Sequence, residues 1–196
     1  MMSHRYVYAL LLGFIFSVTF VFAVHYGKGP KPASTNAPGE TSCQAGRCHS
    51  QYELNGGDGA LTVEGVPGAY APGQKYELTI TIAQKGQKRW GFQITALDTN
   101  NLPAGGFYLL EKELTQQVQL SSSEGSPRRY VQHTLEGSYL GKKNGPVSWK
   151  LEWEAPDKPM GTVLFYTAGN AANFDKKPWG DFIYTHIDTS REAQPK

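Results

Sequence analysis

From Tyr76 to Ile82 apolar and polar positions alternate, with Tyr76, Leu78, Ile80 and Ile82 set against Glu77, Thr79 and Thr81. The same period of two returns at Trp149, Leu151 and Trp153 against Lys150 and Glu152. Successive side chains of a strand point to opposite faces, so this pattern predicts strands with one buried and one wetted face. Further strands are predicted over 61–66, 89–97, 117–120, 129–135, 162–168 and 181–187, separated by turns such as Ala71-Pro72-Gly73-Gln74 and Asn144-Gly145-Pro146. Helical periodicity is nearly absent, apart from a turn expected around 109–115. Eight or so strands joined by polar turns predict an all-β, antiparallel β-sandwich.

The N-terminus departs from this pattern. Tyr6 to Val24 runs nineteen residues without a charge, after His4 and Arg5 and before Lys28 and Lys31. That is enough to cross a bilayer as a helix. Val21-Phe22-Ala23 also offers residues a signal peptidase could read, so a cleaved leader stays open. The apolar run exceeds the usual signal core, which favours an uncleaved N-terminal hydrophobic helix acting as a membrane anchor. Either way the rest of the chain is expected outside the cytoplasm, periplasmic or secreted. The organisation expected is a leader or anchor over 1–24, a flexible tether over 25–41 rich in Gly, Pro, Ser, Thr and Asn, one sandwich over 42–190, and a tail over 191–196. The sandwich, about 150 residues, is large enough to bury a core without disulfides. A formal net charge of +2 and a sequence pI near 8.4 leave no basic stripe for nucleic acid.

Both cysteines of the chain stand together in Cys43-Gln-Ala-Gly-Arg-Cys48-His49. The order Cys, spacer, Cys, His is that of covalent haem attachment, in which the sulfurs form thioethers with the haem vinyl groups and the histidine becomes an axial iron ligand. The usual spacer has two residues; Gln44 to Arg47 make four, so the loop has to bulge, which Gly46 eases. Two cysteines in an exported chain can equally pair as a Cys43–Cys48 disulfide, with His49 incidental. Another metal is a third reading, although a zinc site wants four ligands and only two thiols and one imidazole are local.

A second imidazole stands at His133, which shares one face of its predicted strand with Val131 and Leu135. It is either a core histidine bonded to a backbone carbonyl or, beside a haem, the second axial ligand. His186 competes for that role, with His25 and Met160 as weaker candidates. Arg47 could pair with a haem propionate, and Trp90 or Trp179 could cover the porphyrin. No nucleophile elbow, phosphate-cradling loop or dinucleotide fingerprint is present, so no catalytic residue is assigned and a noncatalytic protein is expected. The loop 169–175 with Gly180-Asp181 carries enough oxygens for calcium but lacks the spacing of a calcium loop. Tyr139, Phe174 and Trp179 could stack on sugar rings, with core packing the alternative.

Several segments resemble the reelin-N-terminal-like (Reeler) domain of bacterial exported proteins, of the choice-of-anchor type. They are Asn36-Ala-Pro-Gly-Glu40, Cys48-His49-Ser50, Tyr70-Ala-Pro-Gly-Gln-Lys-Tyr76, Arg89-Trp-Gly-Phe-Gln-Ile-Thr-Ala-Leu-Asp98, Val131-Gln-His-Thr134, Trp149-Lys-Leu-Glu-Trp153, Val163 to Asn173, and Gly180 to Thr185. The resemblance implies an immunoglobulin-like β-sandwich on the outer side of a cytoplasmic membrane or at the cell surface. It also implies a haem-attachment-like cluster at Cys43, Cys48 and His49, and a His-Thr pair at His133 and Thr134. The expected function is a membrane-anchored or secreted monohaem c-type protein, cytochrome-c-like, moving electrons to or from a redox partner protein. Haem c would be held by Cys43 and Cys48, with iron bound by His49 and His133. A noncatalytic adhesion or carbohydrate-binding sandwich with a Cys43–Cys48 disulfide is the competing expectation, and a haem sensor or carrier a third.

Overall fold

The structure is a computed structural model that describes residues 27–44, 49–120, 127–175, 177 and 179–193. The apolar run 6–24, Cys48 and the spacer residues Ala45, Gly46 and Arg47 lie outside the described residues. So does His25.

Among the described residues ten strands build two facing sheets: β1 (Ala60–Glu64), β2 (Ala69–Tyr70), β3 (Lys75–Ala83), β4 (Arg89–Asp98), β5 (Gly106–Leu109), β6 (Thr115–Leu120), β7 (Arg128–His133), β8 (Val147–Glu154), β9 (Val163–Ala172) and β10 (Phe182–Glu192). One sheet is ordered β1-β3-β8-β5 and the other β2-β10-β9-β4-β7-β6. Every pairing is antiparallel except β2 with β10, where Ala69 faces Arg191 and Tyr70 faces Glu192. The β-sandwich expected from the alternation is the observed fold.

The inner faces follow the period of two. Leu78, Ile80 and Ile82 of β3 and Trp149, Leu151 and Trp153 of β8 are fully buried, and they meet Phe92, Ile94 and Phe165 of the other sheet. The rings interlock at defined angles: Trp153 stands edge-on to Phe165 at 4.8 Å and to Tyr70 at 5.7 Å, and Phe92 tilts on Trp149 at 4.6 Å. Such offset and edge contacts add to area burial. Each buried indole N–H finds a carbonyl: Trp149 donates to Gly137 O, Trp153 to Ala104 O and Trp90 to Lys142 O. Trp90, 2 % exposed, is therefore a core residue and not available to cover a porphyrin.

Two strands escape the alternation rule. β5, only four residues long, begins at Gly106 after Pro103 and Gly105, and falls partly where a turn was expected. β2 has two residues. The C-terminal boundary also moves, because β10 continues through Arg191 and Glu192 to pair with β2, so these two residues belong to the sandwich and not to a tail.

The segment 25–41 was expected to be a flexible tether. From Gly27 onward it is instead a strap packed on the outer face of the six-stranded sheet. Thr35 and Ala37 are 1 % and 2 % exposed, and Ala37 joins Leu97, Tyr166 and Leu164 in a small second core. Strand β4 shows the consequence: from Trp90 to Asp98 it is buried on both faces. Gln93, on its outer face, accepts from Ser34 N (2.8 Å) and donates to Lys31 O (3.0 Å) and Gln132 Oε1 (2.7 Å). The strap's first described residue, Gly27, lies against the Arg89 guanidinium and Leu135.

Glu40 clamps the strap. Its carboxylate, 2 % exposed, accepts from Arg128 (2.8 Å), Tyr130 OH (2.7 Å) and Thr35 Oγ1 (2.6 Å). Burial, and then the bond to Glu40, raise the Tyr130 pKa well above the ordinary phenol value. Glu40→Ala strips buried donors of their acceptor and is expected to cost about 2 kcal/mol. Urea unfolding would measure the loss, and hydrogen exchange should show backbone opening concentrated in 29–41. Equal protection of that segment in the variant would count against the clamp.

Candidate functional site

His49 follows the described end of the cysteine loop and is seated by residues that dock 49–55 on the start of β10. Tyr52 stacks on Phe182 with centroids 4.3 Å apart, Gln51 Oε1 accepts from Gly180 N at 2.6 Å, and Asn55 N donates to Ile183 O at 2.9 Å. Gln44 reaches across the base of the loop to donate to Tyr52 O at 2.6 Å. Cys43 Sγ lies 3.8 Å from Ser34 O, on the strap.

These contacts bring the imidazole to a carboxylate the sequence had placed at a strand end or in a calcium loop. His49 Nδ1 lies 2.7 Å from Asp181 Oδ2, and Asp181 is 3 % exposed while His49 is 27 % exposed. The other carboxylate oxygen, Asp181 Oδ1, accepts from Asn173 N at 2.9 Å. On the far side of the ring, His49 Nε2 lies 3.4 Å from Asn170 Nδ2. An ionised carboxylate only accepts, so the Nδ1 proton belongs on the Asp181 side. Nε2 then keeps its lone pair, consistent with the amide N–H facing it. Asn170 Oδ1, buried in the same place, has no hydrogen-bond partner among the described residues.

His133 reaches the same neighbourhood from another strand. At the end of β7 it is 7 % exposed, and its ring fills the space over Gly91 where a Cβ would overlap the imidazole. Gly91 lies between Trp90 and Phe92, whose side chains enter the core, so it opens on the opposite face of β4. Only glycine leaves room for the ring. The expectation that His133 shares an apolar face with Val131 and Leu135 is thereby corrected: Val131 is in the core, Leu135 is 54 % exposed, and His133 is held beside the strand by the Phe92 backbone. Its Nδ1 lies 3.1 Å from Phe92 N and 3.3 Å from Phe92 O. Accepting from the N–H puts the ring proton on Nε2, whereas donating to the carbonyl frees Nε2, and both partners are in reach without moving the ring. Burial lowers the His133 pKa to about 4, with the Phe92 bond opposing and the Arg89 charge reinforcing the shift.

The register joins the two histidines, since Gly91 of β4 faces Asn170 of β9 across the ladder. His133 lies on the first and His49 on the second, and directly opposed residues of a sheet stand about 5 Å apart. Arg89, on the face of Gly91 two residues earlier, stands 5.1 Å from the Phe174 ring centroid and borders the site. Burial lowers its pKa, and the nearby Asp181 charge works in the opposite sense.

The remaining candidates fall elsewhere. His186 is paired with Asp188 at 3.2 Å and 38 % exposed, and Met160 packs against the main core. The oxygens of the Asn-rich loop cap their own backbone: Asn173 Oδ1 accepts from Asp175 N, and Asp175 Oδ1 from Lys177 N. Tyr139 tilts on Trp149 as a core aromatic, whereas Trp179 is 53 % exposed. Among the described residues no three His, Cys, Asp or Glu side chains form a metal-binding group.

The fold is similar to the crystal structure of the human F-spondin reeler domain, at 22 % identity over 72 % of this chain and 91 % of that one, with a TM-score of 0.46. The reelin-N domain of F-spondin is similar at 22 % identity, 75 % and 96 % coverage and a TM-score of 0.47. A type II cohesin domain from the cellulosome of Acetivibrio cellulolyticus is similar at 7 % identity, 67 % and 94 % coverage and a TM-score of 0.36. No family model and no curated protein sequence matches the chain. The likeness is one of fold.

Proposed function

We propose that this is an extracytoplasmic c-type haem protein, anchored by its N-terminal apolar run, that carries electrons between partner proteins. Cys43 and Cys48 would hold the haem, His49 would ligate its iron, and His133 would supply a second nitrogen ligand. Bound there, the haem supplies one-electron exchange between ferric and ferrous iron.

The observation that carries this reading is that His49 and His133, from distant parts of the chain, pack on directly opposed residues of neighbouring strands, Asn170 and Gly91. The donor set fits the group. Metal-bound histidines characteristically give their second nitrogen to a carboxylate or a backbone carbonyl. His49 Nδ1 faces Asp181, and His133 Nδ1 has Phe92 O within reach at 3.3 Å as well as Phe92 N at 3.1 Å, so that the tautomer donating to the carbonyl would leave Nε2 bare. Burial keeps His133 neutral at physiological pH, so its lone pair is not lost to a proton. Asn170 Oδ1, which has no hydrogen-bond partner among the described residues, marks polar capacity left over beside His49. Two imidazoles, one at the end of β7 and one on the docked segment before β1, would ligate both oxidation states alike, which keeps reorganisation small on electron transfer.

Full-length chain made in cells with complete c-type maturation machinery should be red, show a Soret band and keep its haem through denaturation. His133→Ala should convert low-spin iron towards high spin, with haem still attached. Intact mass equal to the polypeptide alone, or lower by two hydrogens for a Cys43–Cys48 disulfide, would overturn the proposal.

A further inference from the structure

The carboxylate that faces His49 belongs to none of the groups the haem itself requires. We infer that Asp181 is a positioning residue that fixes the Nδ1–H tautomer of His49 and strengthens Nε2 as an electron donor, so that it lowers the reduction potential of the site. The inference rests on the haem reading above.

Asp181 is 3 % exposed, and no lysine or arginine is paired to it at salt-bridge distance among the described residues. Its oxygens are divided between two N–H donors, His49 Nδ1 at 2.7 Å and Asn173 N at 2.9 Å. The second bond is what makes the first directional. Asn173 directly follows β9 and Asp181 directly precedes β10, so one carboxylate is locked between the ends of two paired strands and cannot swing away from the ring. Gly180 permits this close turn, with a positive φ of 78°, and a Cβ there would overlap the Asn173 amide. On the opposite edge of the ring the Asn170 amide reinforces the same tautomer. A buried carboxylate accepting the Nδ1 proton pushes electron density towards Nε2, and a more basic ligand favours ferric over ferrous iron.

Asp181→Asn is nearly isosteric but sharpens the demand, because an amide has one acceptor oxygen for two donors. If that oxygen stays on Asn173 N, the amide N–H₂ faces His49 Nδ1 and drives the ring to the other tautomer. If it stays on His49, the negative charge is still gone.

The test uses the full-length chain in two forms. In haem-loaded protein, Asp181→Asn should raise the midpoint potential and alter the axial-ligand signals of the paramagnetic NMR spectrum, while thermal melting checks that the fold is kept. In wild-type chain made without haem, the 15N shifts of His49 should report a protonated Nδ1 and a bare Nε2, a readout that needs no variant to fold. A wild-type Nε2–H tautomer, or a haem-loaded variant with unchanged potential, would overturn the role of Asp181 alone. Failure of the wild-type chain to take up haem would overturn the functional reading and the potential effect together.

Discussion

Trp153→Ala is expected to cost about 4 kcal/mol of unfolding free energy, the upper part of the range for removing a buried aromatic side chain. Trp153 is wholly buried, and its ring touches residues of three other strands: Tyr76 of β3, Phe165 of β9 and Tyr70 of β2. The truncation therefore empties a junction between both sheets. It also deprives the buried Ala104 carbonyl of its donor, which now lies at 3.0 Å. Gly105, with a φ of 75°, lets the backbone run against the indole. Trp153→Phe should recover more than half of the loss, since it restores most of the volume but not the N–H. Urea unfolding followed by circular dichroism measures both. A loss under about 1 kcal/mol for the alanine variant would mean that this junction does not hold the sheets together.

The chain made without haem is expected to lose on the order of 3 kcal/mol as pH falls from 6.5 to 4, from His133 alone. Burial lowers its pKa in the folded chain from 6.5 to about 4. Above pH 6.5 the ring is neutral in both states and contributes no slope. Between the two values the unfolded chain takes up a proton that the folded chain refuses, so stability falls. Below about 4 both states are protonated and the loss levels off. Carboxylates add their own slope mainly towards the acid end, so the comparison is with His133→Gln across the same range. The variant should be less stable at pH 7 and flatter down to pH 5. Parallel curves for wild type and variant would show that His133 is not buried as a neutral ring.

Much of the sandwich is legible in the alternation of β3 and β8, because their outer residues face water and their inner residues face the core. β4 shows where this reading stops. Its outer positions Gly91, Gln93 and Thr95 look like a wetted face, but they are covered, and a sequence does not distinguish a glutamine in water from one bonded to a neighbouring strap. The strap departs from its composition for a related reason. Gly, Pro and Asn suggest a tether, yet Asn36 and Gly39 take positive φ values that turn the chain so that Ala37 enters the small core and Glu40 reaches Arg128. Within the candidate site, His49 is visible because it directly follows Cys48, and His133 because it stands among apolar residues of a predicted strand. Asp181 was not, since its role depends on a contact between residue 49 and the β9–β10 connection that no local pattern records. The signal available was the Gly180-Asp181 pair closing the Asn-rich loop, where a single carboxylate before a strand can cap backbone on one side and leave its other oxygen for a partner.

The position of Gly27 against Arg89 and Leu135 has a geometric consequence for the proposed anchor. The apolar run ends at Val24, and three residues of extended chain reach only about 10 Å. A leader retained in the bilayer would therefore keep the Arg89 and His133 end of the sandwich close to the lipid headgroups, with the strap leading away across the sheet. A donor or acceptor embedded in the same bilayer would meet that end first, and electrons would have little distance to cover between them.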